Sequence, residues 1–293
     1  MEECPICGQK AISQKFLSCE DYLVSHKLFS VICCDACRFI FTQNSPLPDE
    51  ITAYYDSSEY VSHSNTKTGL INTVYHLVRK VMIGKKTKLI QKISKGRTLL
   101  DVGCGTGYFA GTMKQKDWKV IGIEPSKNAA EMARQKFGLV VKPPEALFEF
   151  PEQSFDVITL WHVLEHLPNL NEAMTQFHKL LKDNGVLVVA LPNVDSYDAK
   201  KYQQFWAAYD VPRHLWHFSP NTFLRFAEKC KFNIIDIKPM PFDAFYISML
   251  SEKNKKNKFA AIRGFYHGII SYLICLFNKK KSSSLIYILK KRR

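Results

Sequence analysis

The chain is poor in several signals that would settle a function class at once. No run of roughly 18 consecutive apolar residues occurs, so a spanning helix is not expected. No apolar secretory core opens the sequence either, because Cys4 and Cys7 occupy that place, and a cytoplasmic location is expected. The glycine-rich stretch has no Gly-Lys-Ser/Thr ending, which argues against a triphosphate-cradling P-loop. Its spacing is Gly-x-Gly-x-Gly rather than Gly-x-Gly-x-x-Gly, which weakens a pyrophosphate-binding dinucleotide site. Acid is scarce: 27 Asp and Glu stand against 41 Lys and Arg, a net charge of +14 that draws anionic partners such as nucleic acid, anionic lipid or acidic substrates. The basic residues gather near the C-terminus, at 253–258, 279–281 and 290–293, without the regular basic–aromatic interleaving of a nucleic-acid reader. Hydrophobic residues make up 46% of the 293, enough for one substantial α/β core and a small appendage and too many for general disorder.

What is present centres on residues 98–124. A short apolar run at 98–102 predicts a buried parallel strand, broken by Gly103, Gly105 and Gly107. Residues 108–116 then predict a helix, and 119–123 a second strand ending in Glu124. Glycines allow a tight turn and close backbone approach, and a carboxylate about 20 residues onward can accept hydrogen bonds from ribose hydroxyls. A plain turn is the alternative for the glycines alone; strand, glycines, helix, strand and acid together read as a nucleotide-type site. Further helices are expected at 127–136, 170–182 and 222–230, and strands at 139–142, 155–160, 185–191, 232–238 and 285–289. This alternation predicts a mostly parallel sheet covered on both faces, with ligands beyond the carboxyl ends of the strands.

Upstream, Cys4-Pro-Ile-Cys7 and Cys34-Asp-Ala-Cys37 form two Cys-x-x-Cys knuckles, spaced to place four thiolates around one structural zinc. Cys33 is an alternative ligand, Cys19 is expected not to coordinate, and a disulfide framework is the competing reading. Residues 1–45 are therefore expected as a zinc-ribbon-like segment and 46–97 as a linker with helical segments around Gly84, their lysines and arginines facing water. Residues 98–293 form the main domain, with an apolar insertion at 253–281. Within the linker, Tyr54-Tyr55-Asp56-Ser57-Ser58-Glu59-Tyr60 and His63 could line a substrate mouth or pack the ribbon on the domain.

Two stretches carry the densest chemistry. Trp161 and His162 could lie by a ligand, while Glu165 and His166 could position a hydroxyl, bind a divalent ion or transfer a proton; helix capping and an internal histidine bond are their structural alternatives. In Tyr209–Ser219, Asp210 and His214 could form an acid–base or orienting pair, Arg213 could hold an anionic substrate group, and Trp216 and Phe218 could enclose a ring or pack the core. Residues 259–277 are too apolar for an isolated solvent helix. They predict either an interfacial helix pair on anionic headgroups or an insertion packed on protein.

Taken together, Leu100-Asp101-Val102-Gly103-Cys104-Gly105-Thr106-Gly107, Glu124, Phe155-Asp156-Val157-Ile158 and Val163-Leu164-Glu165-His166 resemble a class I S-adenosylmethionine-dependent methyltransferase over about residues 70–293. The N-terminal knuckles, Tyr54-Tyr55 and Pro212-Arg213-His214-Leu215 resemble the subset with a zinc-ribbon-like leader. The resemblance implies a Rossmann-like seven-stranded α/β sheet whose last strand is antiparallel. It also implies a cofactor site at Asp101, Gly103, Cys104, Gly105, Gly107, Glu124, Trp161 and His162. His214, His166, Asp210 and Glu165 are the catalytic candidates, and Cys4, Cys7, Cys34 and Cys37 the zinc ligands. The expected function is methyl transfer from S-adenosylmethionine to a small-molecule acceptor, such as a lipid-linked sugar or quinone precursor, with O-, N- and C-methylation left open. Peripheral contact with the inner face of a membrane through 259–277 is expected, and nucleic acid is the weaker partner. A NAD-dependent oxidoreductase and a zinc-bearing RNA-binding protein or RNA methyltransferase are the rivals.

Overall fold

The computed structural model describes residues 4–9, 15–46, 48–55 and 70–292; Asp56–Tyr60 and His63 of the expected mouth lie outside them. Eleven strands are described: β1 Lys15–Glu20, β2 Leu28–Cys33, β3 Ile40–Thr42, β4 Thr98–Val102, β5 Lys119–Ile123, β6 Val140–Lys142, β7 Phe155–Trp161, β8 Leu181–Pro192, β9 Trp216–His217, β10 Phe232–Pro239 and β11 Ser284–Lys291.

Seven of them build the main sheet in the order β10-β11-β8-β7-β4-β5-β6. Strands β8, β7, β4, β5 and β6 are mutually parallel, whereas β11 runs antiparallel to both β8 and β10. The antiparallel last strand agrees with the sheet that the family resemblance implied. The continuous apolar runs of β4, β7 and β8 arise because each is covered on both faces. Leu100, Ile158, Leu187 and Val189 face one side, among Met174, Phe177, Phe223 and Phe226. Leu99, Val157, Val186 and Val188 face the other, among Ile90, Ala110, Met113 and Ala133. Successive side chains of a strand alternate faces, so one run feeds two cores. Chain direction across the sheet reverses about β4, which opens a crevice at its carboxyl end between β5 and β7.

Three local expectations differ from the structure. Helix Leu70–Ile93 runs unbroken through Gly84, where an added methyl would meet nothing within 4 Å. Glycine's helical cost of about 1 kcal/mol is too small to split a helix of this length. Helix Leu170–Leu180 stops early and β8 starts at Leu181, because Leu181 already pairs with Phe155. Finally, the apolar segment is one helix, Ala260–Phe277, packed on a second helix, Asp243–Asn254, that its sequence does not announce. That second helix buries Ala244, Ser248, Ser251 and Glu252, so it carries no apolar stripe at helical spacing.

The N-terminal segment is not a free appendage. Strands β1, β2 and β3 form an antiparallel sheet whose fourth strand is β9, from the loop after β8. Phe39 packs on Phe218 at 5.1 Å and on Trp216 at 6.0 Å between ring centres, joining this sheet to the main core. Trp216 and Phe218 are thus core residues, and neither encloses a ligand ring.

Candidate active site

The turn after β4 takes left-handed backbone at Gly103 (φ 69°), Gly105 (φ 54°) and Gly107 (φ 79°), a region that glycine enters without steric cost. Two of the three are also sterically locked. A Cβ on Gly103 would lie 2.4 Å from Val163 Cγ2, and one on Gly107 would lie 2.7 Å from Ala133 Cβ. At Gly105 a Cβ would meet nothing within 4 Å, so the backbone there borders open space. Cys104 turns its sulfur under the loop, onto Gly122, where a Cβ would stand 2.5 Å from Sγ.

Glu124, following β5, accepts the Gly105 N–H at 2.7 Å on Oε2 and the Ser126 N–H at 2.9 Å on Oε1. Burial pushes its pKa up against those two donors. One bond per oxygen leaves each with a lone pair for a hydroxyl. Asp101 is buried in β4 and accepts the Thr159 hydroxyl at 2.6 Å. Burial raises its carboxyl to about 7, against the pull of Thr159 and Lys86. Across the crevice Trp161 ends β7, edge-on to Phe109 at 5.3 Å, with its buried indole Nε1 lacking a hydrogen-bond partner among the described residues. An open glycine backbone, an acid with spare lone pairs and an orphaned indole donor fit the polar groups of a nucleoside-type cofactor.

His162 (φ 59°) lies between two carboxylates, with Nδ1 3.3 Å from Glu165 and Nε2 3.3 Å from Asp243. Burial disfavours its proton, but Asp243 and Glu165 outweigh that and raise it to about 9, so the ring is cationic at neutral pH. Lys86 Nζ sits 4.2 Å over the Trp161 ring, within the range of a cation–π contact. Burial lowers its pKa, with Asp243 and Asp101 opposing. Lys86 was expected to face water and Asp243 was not singled out, yet both reach this crevice. A signal for Lys86 existed: it shares the spacing of Met82, Leu89 and Ile90, which pack inward.

One turn further on, Glu165, His166 and His214 bring their ligand atoms within 4.8 Å of one another. Glu165 is fully buried, and its Oε1 is ion-paired with His162 at 3.3 Å. His166 Nδ1 lies 3.0 Å from the Arg213 carbonyl and 3.0 Å from the Tyr55 hydroxyl; His214 Nδ1 lies 2.9 Å from the Ala208 carbonyl. A carbonyl only accepts, so both Nδ1 atoms are assigned the proton and both Nε2 atoms keep lone pairs. The two rings meet edge to face at 4.5 Å. Burial pushes His166 down to about 4 and keeps it neutral. Two Nε2 lone pairs beside a buried carboxylate can pass a proton or hold a divalent ion.

Asp210 lies 3.9 Å from His214 Nε2 but is bound mainly by Arg213, at 2.7 Å to Nη2 and 3.1 Å to Nε. Arg213 is 1% exposed and also donates to Asp21 at 3.2 Å and to the Tyr54 carbonyl at 3.2 Å. With its guanidinium taken up by the β1–β2 turn and by Asp210, Arg213 is an internal tie, and it does not hold a substrate anion.

At the far side, Cys4 and Cys37 sulfurs lie 3.5 Å apart and Cys7 and Cys34 sulfurs 3.6 Å apart, with all four within 4.8 Å. Those separations exceed an S–S bond and approach the ~3.8 Å edge of a tetrahedron with Zn–S bonds of about 2.3 Å. Cys34 rather than Cys33 belongs to this group, and Cys19 is buried outside it.

A family described as a methyltransferase domain matches residues 75–237. A ubiquinone biosynthesis O-methyltransferase of Rickettsia prowazekii is 28% identical over 144 residues, 46% of this chain and 57% of that protein. One from Pelagibacter ubique is 32% identical over 115 residues, 37% of this chain and 47% of that protein. The chain thus spans about half the length of these curated relatives. A crystal structure of a SAM-dependent methyltransferase from Archaeoglobus fulgidus overlays with a TM-score of 0.51 at 22% identity, covering 73% of this chain and 94% of that one. A putative sarcosine dimethylglycine methyltransferase from Galdieria sulphuraria overlays with a TM-score of 0.52 at 16% identity, covering 74% and 86%. Both overlays establish a shared fold.

Proposed function

The chain belongs to the class I S-adenosylmethionine-dependent methyltransferase family, and on that premise we propose that it methylates a hydroxyl of a small-molecule acceptor, a phenolic quinone precursor or a lipid-linked sugar. The observation that carries this reading is the convergence of Glu165, His166 and His214 beside the glycine turn, with imidazole Nε2 lone pairs available to take a proton. The curated relatives named for O-methylation in ubiquinone biosynthesis support the choice of oxygen.

When bound, S-adenosylmethionine supplies an electrophilic methyl group on a sulfonium. Asp101, Gly103, Cys104, Gly105 and Gly107 would form the loop side of its site, Glu124 would accept hydroxyl donors of the ribose, and Trp161 and His162 would close the opposite wall. Much of the acceleration in such a site comes from holding the acceptor oxygen in line and excluding water. His214 Nε2 takes the acceptor's proton, while the Ala208 carbonyl fixes the ring through Nδ1. The buried Glu165 carboxylate favours the resulting imidazolium. His166, which burial holds neutral near 4, orients the acceptor. Asp210 stays bound to Arg213 and acts on His214 as a fixed negative charge.

The test is an acceptor screen with methyl-labelled donor, covering phenols, catechols and polyprenyl-linked sugars, with the product identified by mass. An O-methyl product supports the reading. Tight NAD or RNA binding without S-adenosylmethionine binding overturns it. We further propose that Cys4, Cys7, Cys34 and Cys37 hold one structural zinc that orders the N-terminal sheet. Elemental analysis after purification without chelator is expected to find about one zinc per chain, and none would count against the site.

A further inference from the structure

Helix Ala260–Phe277 is amphipathic in the wrong sense for a helix on a protein facing water. Its protein-facing side carries Gly264, His267, Gly268, Ser271 and Cys275. The two glycines let the helices touch: a Cβ on Gly264 would lie 2.4 Å from Met249 Cα, and one on Gly268 would lie 2.6 Å from Phe245 Cδ1. The outward side carries Phe259, Ile262, Tyr266, Ile269, Leu273 and Leu276, spaced 3-4-3-4-3 and between 39% and 71% exposed. Small and polar residues face in, and large apolar ones face out.

The hairpin made with helix Asp243–Asn254 is pinned at both ends. At its base Pro239 pairs with Leu285 across β10 and β11. At its tip the Ala207 N–H donates to Ser251 Oγ at 2.9 Å, and Asn254 Nδ2 donates to the Phe205 carbonyl at 3.1 Å. Although no spanning helix was expected, this 18-residue helix is about 27 Å long and by length and composition could cross a hydrocarbon core. It packs along the supporting helix, which is itself tied to the body. Exposed lysines bracket the apolar stripe: Lys253, Lys255, Lys256 and Lys258 before it, Lys279 and Lys280 after it.

We propose that this helix lies in the interface of an anionic bilayer, with the stripe in the acyl boundary and the lysines at the phosphates. An apolar face with cationic ends is the composition that binds such surfaces. A second copy of the chain would bring the same cationic ends together, which disfavours a dimer through this face. The hairpin also starts at the active site, since Asp243, the first residue of its supporting helix, reaches His162. A membrane-anchored acceptor would therefore meet the crevice at the lipid surface; this last step rests on the methyl-transfer reading, whereas the docking itself does not.

The experiment is sedimentation of the full chain with phosphatidylglycerol–phosphatidylcholine vesicles and with pure phosphatidylcholine vesicles. Wild-type protein is expected to pellet with the anionic vesicles, less so at high salt, and to remain largely in solution with the neutral ones. The Ile262→Glu/Leu273→Glu double variant changes only outward residues and should melt as wild type while partitioning at least about tenfold less. The Lys279→Glu/Lys280→Glu variant should lose binding with a weaker salt dependence. Wild-type protein left in the supernatant with anionic vesicles overturns the proposal, as does a double variant that pellets equally. So does a wild-type dimer, seen by sedimentation velocity without lipid, that the double variant converts to monomer while neither binds vesicles.

Discussion

Gly105 and Gly107 share one backbone constraint and differ in surroundings, so alanine at each separates cofactor binding from packing. Both have positive φ, which costs an alanine about 1–2 kcal/mol. At Gly105 that is the whole folding cost, since the new methyl meets nothing within 4 Å. At Gly107 the methyl also meets Ala133 Cβ at 2.7 Å and the Ala133 backbone Cα at 3.2 Å. Overpacking of this kind adds about 1–3 kcal/mol, giving roughly 2–5 kcal/mol in all. With about 2–4 °C per kcal/mol for a domain of this class, Gly105→Ala should melt a few degrees low and Gly107→Ala on the order of 10 °C low. Affinity should rank the other way. A methyl at Gly105 projects into the space the cofactor would fill, so Gly105→Ala should weaken S-adenosylmethionine binding at least about tenfold, or 1.4 kcal/mol. Scanning fluorimetry and titration calorimetry read the two quantities. Wild-type affinity in a folded Gly105→Ala protein would refute the placement of the cofactor, and equal melting of the two variants would refute the packing argument.

Three further outcomes are expected. Arg213→Met leaves the buried Asp21 without its cation and should cost about 3–5 kcal/mol in urea titration; a loss under 1 kcal/mol would show that the tie is dispensable. His214→Ala should lower turnover by roughly 10²–10⁴ with S-adenosylmethionine affinity kept, and unchanged turnover would remove it as the base. His162, raised from 6.5 to about 9, binds its proton more tightly when folded, so its stabilising effect is complete below pH 6.5 and lost as pH rises through 9. Asp243→Asn should flatten that alkaline limb of the melting profile, and an unchanged limb would mean that the pair does not hold the proton.

The main sheet was legible because its strands are continuous apolar runs bounded by glycine, proline and polar turns, a local signal. The glycine turn and Glu124 were legible because a fixed spacing places them at one strand end. The internal role of Arg213 is not legible locally: Asp210 lies three residues away, but the second carboxylate that completes its burial, Asp21, lies 192 residues away. Asp243 carries no local signal either, because its helix has no apolar stripe and its crossing over the crevice is set by packing; Lys86 does, sharing the inward spacing of Met82, Leu89 and Ile90. Trp216 and Phe218 carried ring chemistry on paper, but the N-terminal sheet, by laying Phe39 against them, made them core.

The fourth strand of that N-terminal sheet has a consequence for the order of assembly during synthesis. Thr42, at the end of β3, bonds to the carbonyl of His214, 172 residues later, and β9 follows at once. At translation rates of about 5–20 residues per second, the first three strands emerge roughly 9–35 seconds before the strand that completes them. Throughout that interval the edge of β3 is unpaired and the carboxylate of Asp21 awaits its cation. The three strands β1, β2 and β3 therefore close only once the loop carrying His214 has emerged, and their closure reports its arrival.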